Sequence, residues 1–178
     1  METRVTTGKV RFSYLQVFQA KAMEEGETPK YSTAILVNKK DKATIEKIDA
    51  AIEGAKQAGK TSKWGGKIPP SLKIPWRDGD EEKPDDEAYK GHLFFNASSV
   101  RKPIVLGPDK RPLEDESELY SGAYGRAVLN FYPFAGKSKG VAVGLESIMK
   151  LEDGESLGGG TVTLQDAIDA FSDDDDLL

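Results

Sequence analysis

The chain has no cysteine and a single histidine, His92, among 178 residues. Without cysteine there can be no disulfide and no thiolate metal site. A lone histidine does not build a zinc site. No serine stands in the strand-to-helix context that would give His92 a hydrolytic role. Long apolar runs are also missing, and none approaches the length of a membrane span. Met1–Thr7 lacks the apolar stretch of a secretory leader. These absences predict a cytoplasmic protein (host-cell cytoplasm if a phage encodes it) with no membrane partner and no cofactor.

What is present is charge, unevenly placed. All 25 Lys and Arg lie at or before Lys150, together with 21 of the 30 Asp and Glu. Residues 1–150 therefore carry +4, and residues 151–178 carry −9. A basic body attracts phosphates, and a tethered polyanion can compete for the same surface or act as a docking signal. We read 1–150 as one domain, long enough to bury a core, and 151–178 as a flexible acidic tail. Gly158-Gly159-Gly160 reads as a joint. Thr163 and Asp166 have capping-box spacing, and Leu164, Ile168 and Phe171 then share one face of a weak helix. The last residues, Asp173, Asp174, Asp175, Asp176, Leu177 and Leu178, suit a partner-binding terminus.

Hydrophobic alternation predicts strands at Lys9–Phe18, Lys30–Val37, Gly91–Ser98, Pro103–Leu106, Tyr124–Phe134 and Gly140–Met149, with a hairpin turn at Ala135–Lys139. The first two should pair, since a hairpin is the simplest connection. Asp41–Ala58 switches period: Ile45, Ile48, Ile52 and Ala55 mark the buried stripe of a helix, with Gly59 placed to end it. Thr61–Lys90 has no steady period and reads as a long ordered loop, held by its two tryptophans. Many short strands and one helix predict a mainly β protein, a small antiparallel barrel with one inserted helix. Phe12, Phe94, Phe95 and Phe131 are the candidate core aromatics.

Two motifs invite a chemical reading and lack the context for it. Gly54-Ala55-Lys56-Gln57-Ala58-Gly59-Lys60-Thr61 matches the phosphate-loop pattern of nucleotide hydrolases. That chemistry needs a strand before the loop and a helix after it, and here a helix leads in. The acidic run Asp78–Glu87 has Lys83 where a calcium-binding loop needs glycine, so a solvated loop that repels misplaced DNA is expected rather than a metal site.

Basic and aromatic residues interleave repeatedly, and single-stranded nucleic acid is bound by such a mixture. Cations follow the phosphates, and rings stack on unpaired bases. The candidate phosphate contacts are Lys9, Arg11, Lys30, Lys63, Lys67, Arg77, Arg101, Lys102 and Arg126. The candidate stacking rings are Tyr14, Tyr31, Trp64, Trp76 and Tyr124. The tryptophans stand out because they lie in a Pro/Gly-rich stretch beside cations.

Six segments together resemble a known group: Gly8–Tyr14, Pro29–Ser32, Gly66–Pro69, Arg77–Asp80, Tyr120–Arg126 and Gly154–Gly159. In order and spacing they are similar to the phage and prophage single-stranded-DNA-binding proteins once catalogued as an uncharacterised family. The resemblance implies an OB-fold barrel that coats unpaired DNA in phage replication or recombination, without enzymatic activity. It also implies an acidic tail that recruits replication or recombination proteins. The chain departs from the pattern in two places. It ends in Leu177-Leu178 where bacterial tails end in an aromatic, and its helix precedes most of the strands. Alternatives carried from the residues are a nucleotide hydrolase using Lys60 and Thr61, and a protein-binding adaptor acting through the tail. Self-association is left open.

Overall fold

The computed structural model describes residues 2–22, 24–157, 168, 170 and 171. The joint at 158–160, the capping box, Leu164 and the acidic terminus at 173–178 lie outside the described residues.

The chain opens with β1 (Arg4–Thr6) and β2 (Val10–Lys21), followed by β3 (Lys30–Asn38) and α1 (Lys42–Ser62). A two-residue strand β4 (Arg77–Asp78) and one helical turn α2 (Gly79–Glu82) lead to β5 (His92–Ser99) and β6 (Ile104–Leu106). Two long strands, β7 (Tyr124–Ala135) and β8 (Lys139–Glu152), finish the body. Five strands close a ring in the order β2-β3-β5-β8-β7 and back to β2. The β2–β3 hairpin forms as its alternation predicts, with Phe12 opposite Ile35. The β3–β5 ladder runs unbroken from Tyr31↔Ser99 to Asn38↔His92. The ring is antiparallel except at one seam, where β5 runs parallel to β8 at Ser98↔Gly144. Val10↔Gly125 and Arg11↔Tyr124 complete the closure. Closure removes most of the exposed strand edge that a flat sheet would leave.

Phe12, Ile35, Phe95, Leu129 and Phe131 fill the interior and are fully buried. Phe94 is buried too, but on the outer side of β5, in a second cluster with Ala34, Leu36, Ala88 and Tyr89. Strand β3 is therefore apolar on both faces: Ile35 and Val37 point in, and Ala34 and Leu36 point out under a cover.

The helix sits between the second and third strands of the ring and packs against β7, with further contacts to β1 and β8. Asp41 caps it by accepting from the Thr44 backbone N–H at 3.2 Å. Its buried stripe is Thr44, Ile48, Ala51, Ile52, Ala55 and Gly59. The helix does not end at Gly59. A Cβ there would lie 2.6 Å from Pro133 Cβ and 2.7 Å from the Trp64 ring, so glycine serves close packing inside the helix. The turn comes later, where Gly65 (φ 68°) and Gly66 (φ 97°) take left-handed conformations.

The pattern-matching segment Gly54–Thr61 thus lies wholly within α1, with Gly54, Ala55 and Gly59 buried. Its backbone N–H groups serve the helix and cannot wrap a phosphate. The stretch 61–90 holds more regular structure than its sequence suggests: the end of α1, β4, α2 and a 3-10 turn at Glu87–Tyr89. Strand β1 has no counterpart in the periodicity reading. It is three residues long, with only Val5 buried. Among the described residues no helix is long and apolar enough to cross a membrane.

Candidate nucleic-acid interface

A groove of about 860 Å³ crosses the outer faces of β2, β3 and β5. Ser32 and Ala34 of β3 and Phe94, Asn96 and Ser98 of β5 form its floor. The β2–β3 hairpin supplies one wall with Lys21, Glu27 and Lys30, and Arg77, Lys83 and Tyr89 supply the other.

Tyr14 stands in this groove with 60% of its surface exposed. The β2–β3 register shifts between Ser13 and Gln16, a bulge that turns the strand. Ser13 is fixed from outside, because the Tyr89 hydroxyl donates to its Oγ at 3.0 Å. Leu15 is fixed from the other side, its N–H donating to Ser121 Oγ at 2.9 Å. Between these anchors Tyr14 adopts φ 48°. That region is costly for a residue with a Cβ, and such strain gathers at functional sites. Burial pushes the Tyr89 phenol up from its ordinary value, and the Ser13 hydrogen bond opposes the shift.

The wall Arg77–Tyr89 is an acidic arm tied at its base. Lys39 pairs with Asp78 at 2.9 Å and Asp80 at 2.7 Å. The Lys39 hydrogen bonds hold both carboxyls below their usual range. Asp80 also accepts from the Gly91 N–H at 3.1 Å. A Cβ on Gly79 would lie 2.3 Å from the Tyr89 carbonyl oxygen, so the arm folds tightly on itself. The Arg77 guanidinium lies 5.0 Å from the Phe94 ring centroid and pairs with Glu82 through both Nε and Nη2. Lys83 reaches across the groove, with its ammonium 5.5 Å from the Tyr14 ring and 5.7 Å from the Tyr89 ring. Asp78, Asp80, Glu82 and Glu87 are paired in this way, and among the described residues no cluster of three potential ligands could hold a metal ion.

Of the residues singled out in the sequence, Tyr14, Lys30 and Arg77 line the groove. Arg11 and Tyr124 pair across the β2–β7 seam, with the guanidinium 5.1 Å from the ring. Lys9 lies 5.6 Å from the same ring and pairs with Glu152 at 2.9 Å. Arg126 donates from Nε to the Thr7 carbonyl at 2.8 Å. Tyr31 alternates to the face opposite Lys30 and Ser32 and is absent from the groove lining. Lys63 and Lys67 are exposed beyond α1, and Arg101 and Lys102 are exposed in the turn after β5.

Of the two tryptophans, Trp64 is buried and Trp76 half-buried, and neither lines the groove. Trp64 is only 7% exposed and belongs to the core, with Nε1 donating to the Phe134 carbonyl at 3.1 Å. Trp76 is half-buried edge-on against Phe95 at 5.3 Å, with Nε1 donating to Asp49 at 2.7 Å. Both rings fasten the 63–77 stretch to the barrel. Lys21, Lys83 and Tyr89 line the groove and went unread. Lys83 was hidden inside an acidic run, and Tyr89 reaches Ser13 across 76 residues of sequence.

The last described segment of the body crosses beside this face. Arg11 Nη2 donates to the Glu155 carbonyl at 2.8 Å, and Leu157 N–H donates to the Ser121 carbonyl at 2.9 Å. Leu157 packs on the cluster of Ala34, Leu36, Tyr89 and Phe94 that underlies the groove. Lys150 and Asp153 pair at 2.6 Å, and the Tyr120 hydroxyl donates to Asp153 at 3.2 Å. The Lys150 contact, followed by that of Tyr120, holds the Asp153 carboxyl below its usual range.

Comparison with known proteins gives one consistent result. The single-stranded-DNA-binding protein of bacteriophage Enc34, solved in complex with ssDNA, superposes with a TM-score of 0.77 at 29% identity, over 88% of this chain and 90% of that one. The single-stranded-DNA-binding protein gp2.5 of bacteriophage T7 matches with a TM-score of 0.61 over 90% of this chain and 97% of that one. Its identity is 13%, so it speaks for the fold alone. A phage of an Acyrthosiphon pisum secondary endosymbiont encodes a relative, putative protein p50, that is 27% identical over 95% of this chain and 94% of its own length. The family model described as the Enterobacter phage Enc34 ssDNA-binding protein matches residues 3–178, and the chain belongs to that family.

Proposed function

We propose that this protein binds single-stranded DNA without strong sequence preference, through the groove over β2, β3 and β5, in phage replication or recombination. The observation that carries this reading is Tyr14, a solvent-facing ring held at φ 48° among the cations Lys21, Lys30, Arg77 and Lys83. A base stacked on such a ring contributes about 1–3 kcal/mol whatever its identity. The floor is polar at Ser32, Asn96 and Ser98. Membership of the Enc34 family supports the same ligand.

The acidic tail modulates this binding. Its support is placement and charge: the chain passes Arg11 and covers the outer cluster at Leu157 just before its last acidic residues. The tail also presents a docking segment for replication or recombination proteins, in keeping with the 73% exposure of Phe171. The protein acts by binding rather than by catalysis, a reading favoured by the helical state of Gly54–Thr61.

Fluorescence anisotropy with labelled oligo-dT and with a duplex of equal length, each at two salt concentrations, tests the proposal. Tight single-strand binding that weakens with salt is expected. Deleting residues 173–178 should tighten it at low salt. Equal affinity for duplex and single strand, or no binding by the truncated protein in dilute buffer, would overturn it.

A further inference from the structure

Lys83 lies in the most acidic stretch of the body, between Glu81-Glu82 and Asp85-Asp86-Glu87. Yet among the described residues its ammonium has no carboxylate partner. The other cations of this neighbourhood are all taken: Arg77 by Glu82, Lys39 by Asp78 and Asp80, and Lys90 by Glu87. Lys83 turns from its neighbours in sequence and lies over two tyrosine rings inside the groove.

A cation over aromatic faces is held less strongly than one that meets a phosphate when water is displaced. The geometry therefore asks for a ligand that brings an anion to the ammonium and a flat group to the exposed face of Tyr14, about one ring-to-cation distance away. A nucleotide of an unpaired strand carries both. Building on the groove as the binding site, we propose that Lys83 is its key phosphate ligand and acts as one unit with Tyr14. The ammonium sets the Tyr14 ring in the free protein, then takes the phosphate of the nucleotide whose base stacks there. The carboxylates Glu82, Asp85, Asp86 and Glu87 line a second concavity that Lys83 also borders. They repel a strand that strays outward, which leaves Lys83 as the one attractive point on that wall not already matched by a carboxylate.

The test is a salt titration of oligo-dT binding for wild type, Lys83→Met, Lys83→Arg, Tyr14→Leu and the Lys83→Met/Tyr14→Leu double variant, each checked by its melting curve. Loss of one phosphate contact lowers the slope of log affinity against log salt by about 0.7, or about fivefold in affinity at 0.1 M salt. Lys83→Met should show that loss and Lys83→Arg should restore the slope. Tyr14→Leu should cost less in the Lys83→Met background than in wild type. An unchanged slope or tighter binding in Lys83→Met overturns the phosphate role, as does a reduced slope in Lys83→Arg. Full additivity of the two substitutions overturns the paired action. Wild-type protein that ignores oligo-dT would strike the reading of the groove itself. Wild-type binding with an indifferent Lys83→Met would strike this inference alone.

Discussion

Two basic and aromatic surfaces share this barrel, and they differ in what their cations already hold. On the β2–β7 side, Lys9 pairs with Glu152, Arg11 spans the carbonyls of Gly122 and Glu155, and Arg126 holds the Thr7 carbonyl. Lys9 and Arg11 fasten the exit of the chain to the body, and Arg126 fastens its start. Over β2, β3 and β5 the same residue types surround an open groove, and among the described residues only Arg77 of its cations is matched by a carboxylate. Composition makes the two surfaces look alike. Committed hydrogen bonds set the clasp apart from the groove, because a cation already satisfied gains little from a phosphate.

The sharpest way to break this distinction is through the aromatic residues. Trp64→Ala should cost about 3–5 kcal/mol of stability, as expected for a large buried ring. The fraction that stays folded should keep its oligo-dT affinity. Urea denaturation followed by binding at low temperature separates these effects, and a loss of affinity in the folded fraction would return Trp64 to the site. Tyr14→Leu should do the reverse: little change in melting, and about 5- to 100-fold weaker binding. Tyr124→Leu, on the clasp side, should weaken binding far less, and equal losses at the two tyrosines would erase the contrast.

A smaller effect sharpens the comparison within the groove. Glu82→Gln frees the Arg77 guanidinium from its carboxylate and should tighten oligo-dT binding severalfold at low salt. The same exchange on the clasp side, Glu152→Gln beside Lys9, should leave affinity within about twofold, since Lys9 lies outside the groove lining and an exposed pair contributes little to stability. Anisotropy titrations of both variants at one salt concentration check this.

The smallest expected effect is on acid stability. Asp78 and Asp80 beside Lys39, and Asp153 beside Lys150, have carboxyls held below their ordinary value in the folded state. A depressed carboxyl stabilises the fold above its unfolded pKa, and that stabilisation is lost as pH falls through the folded value. Melting temperature should therefore fall on acidification below about pH 4, and Lys39→Met should flatten that fall. A melting temperature that rises toward low pH would reverse the sign.

Much of the barrel was legible because strands with one wet face announce themselves. Val10-Arg11-Phe12 and Tyr124–Phe131 alternate, and Ile48, Ile52 and Ala55 mark the helix. Two features escaped local pattern. Gly59 reads as a helix end, yet it is there to admit the Trp64 ring, which folds back from five residues on, and Pro133, which comes from distant chain. The tryptophans read as stacking candidates because they lie in a Pro/Gly-rich stretch beside cations, while their packing depends on Phe95, Phe134 and Asp49. The candidate site was half legible for the same reason. Tyr14, Lys30 and Arg77 carry local cues, whereas Lys83 joins them only once the acidic arm folds across β5 to meet β2.

The account stands or falls on which ring meets the base. Oligo-dT carrying 5-bromodeoxyuridine can be photo-crosslinked to the full-length protein and the adduct mapped by peptide mass spectrometry. The adduct is expected on Tyr14 and should disappear in Tyr14→Leu. A dominant adduct on Tyr124, Trp64 or Trp76, with Tyr14 unlabelled, would contradict it.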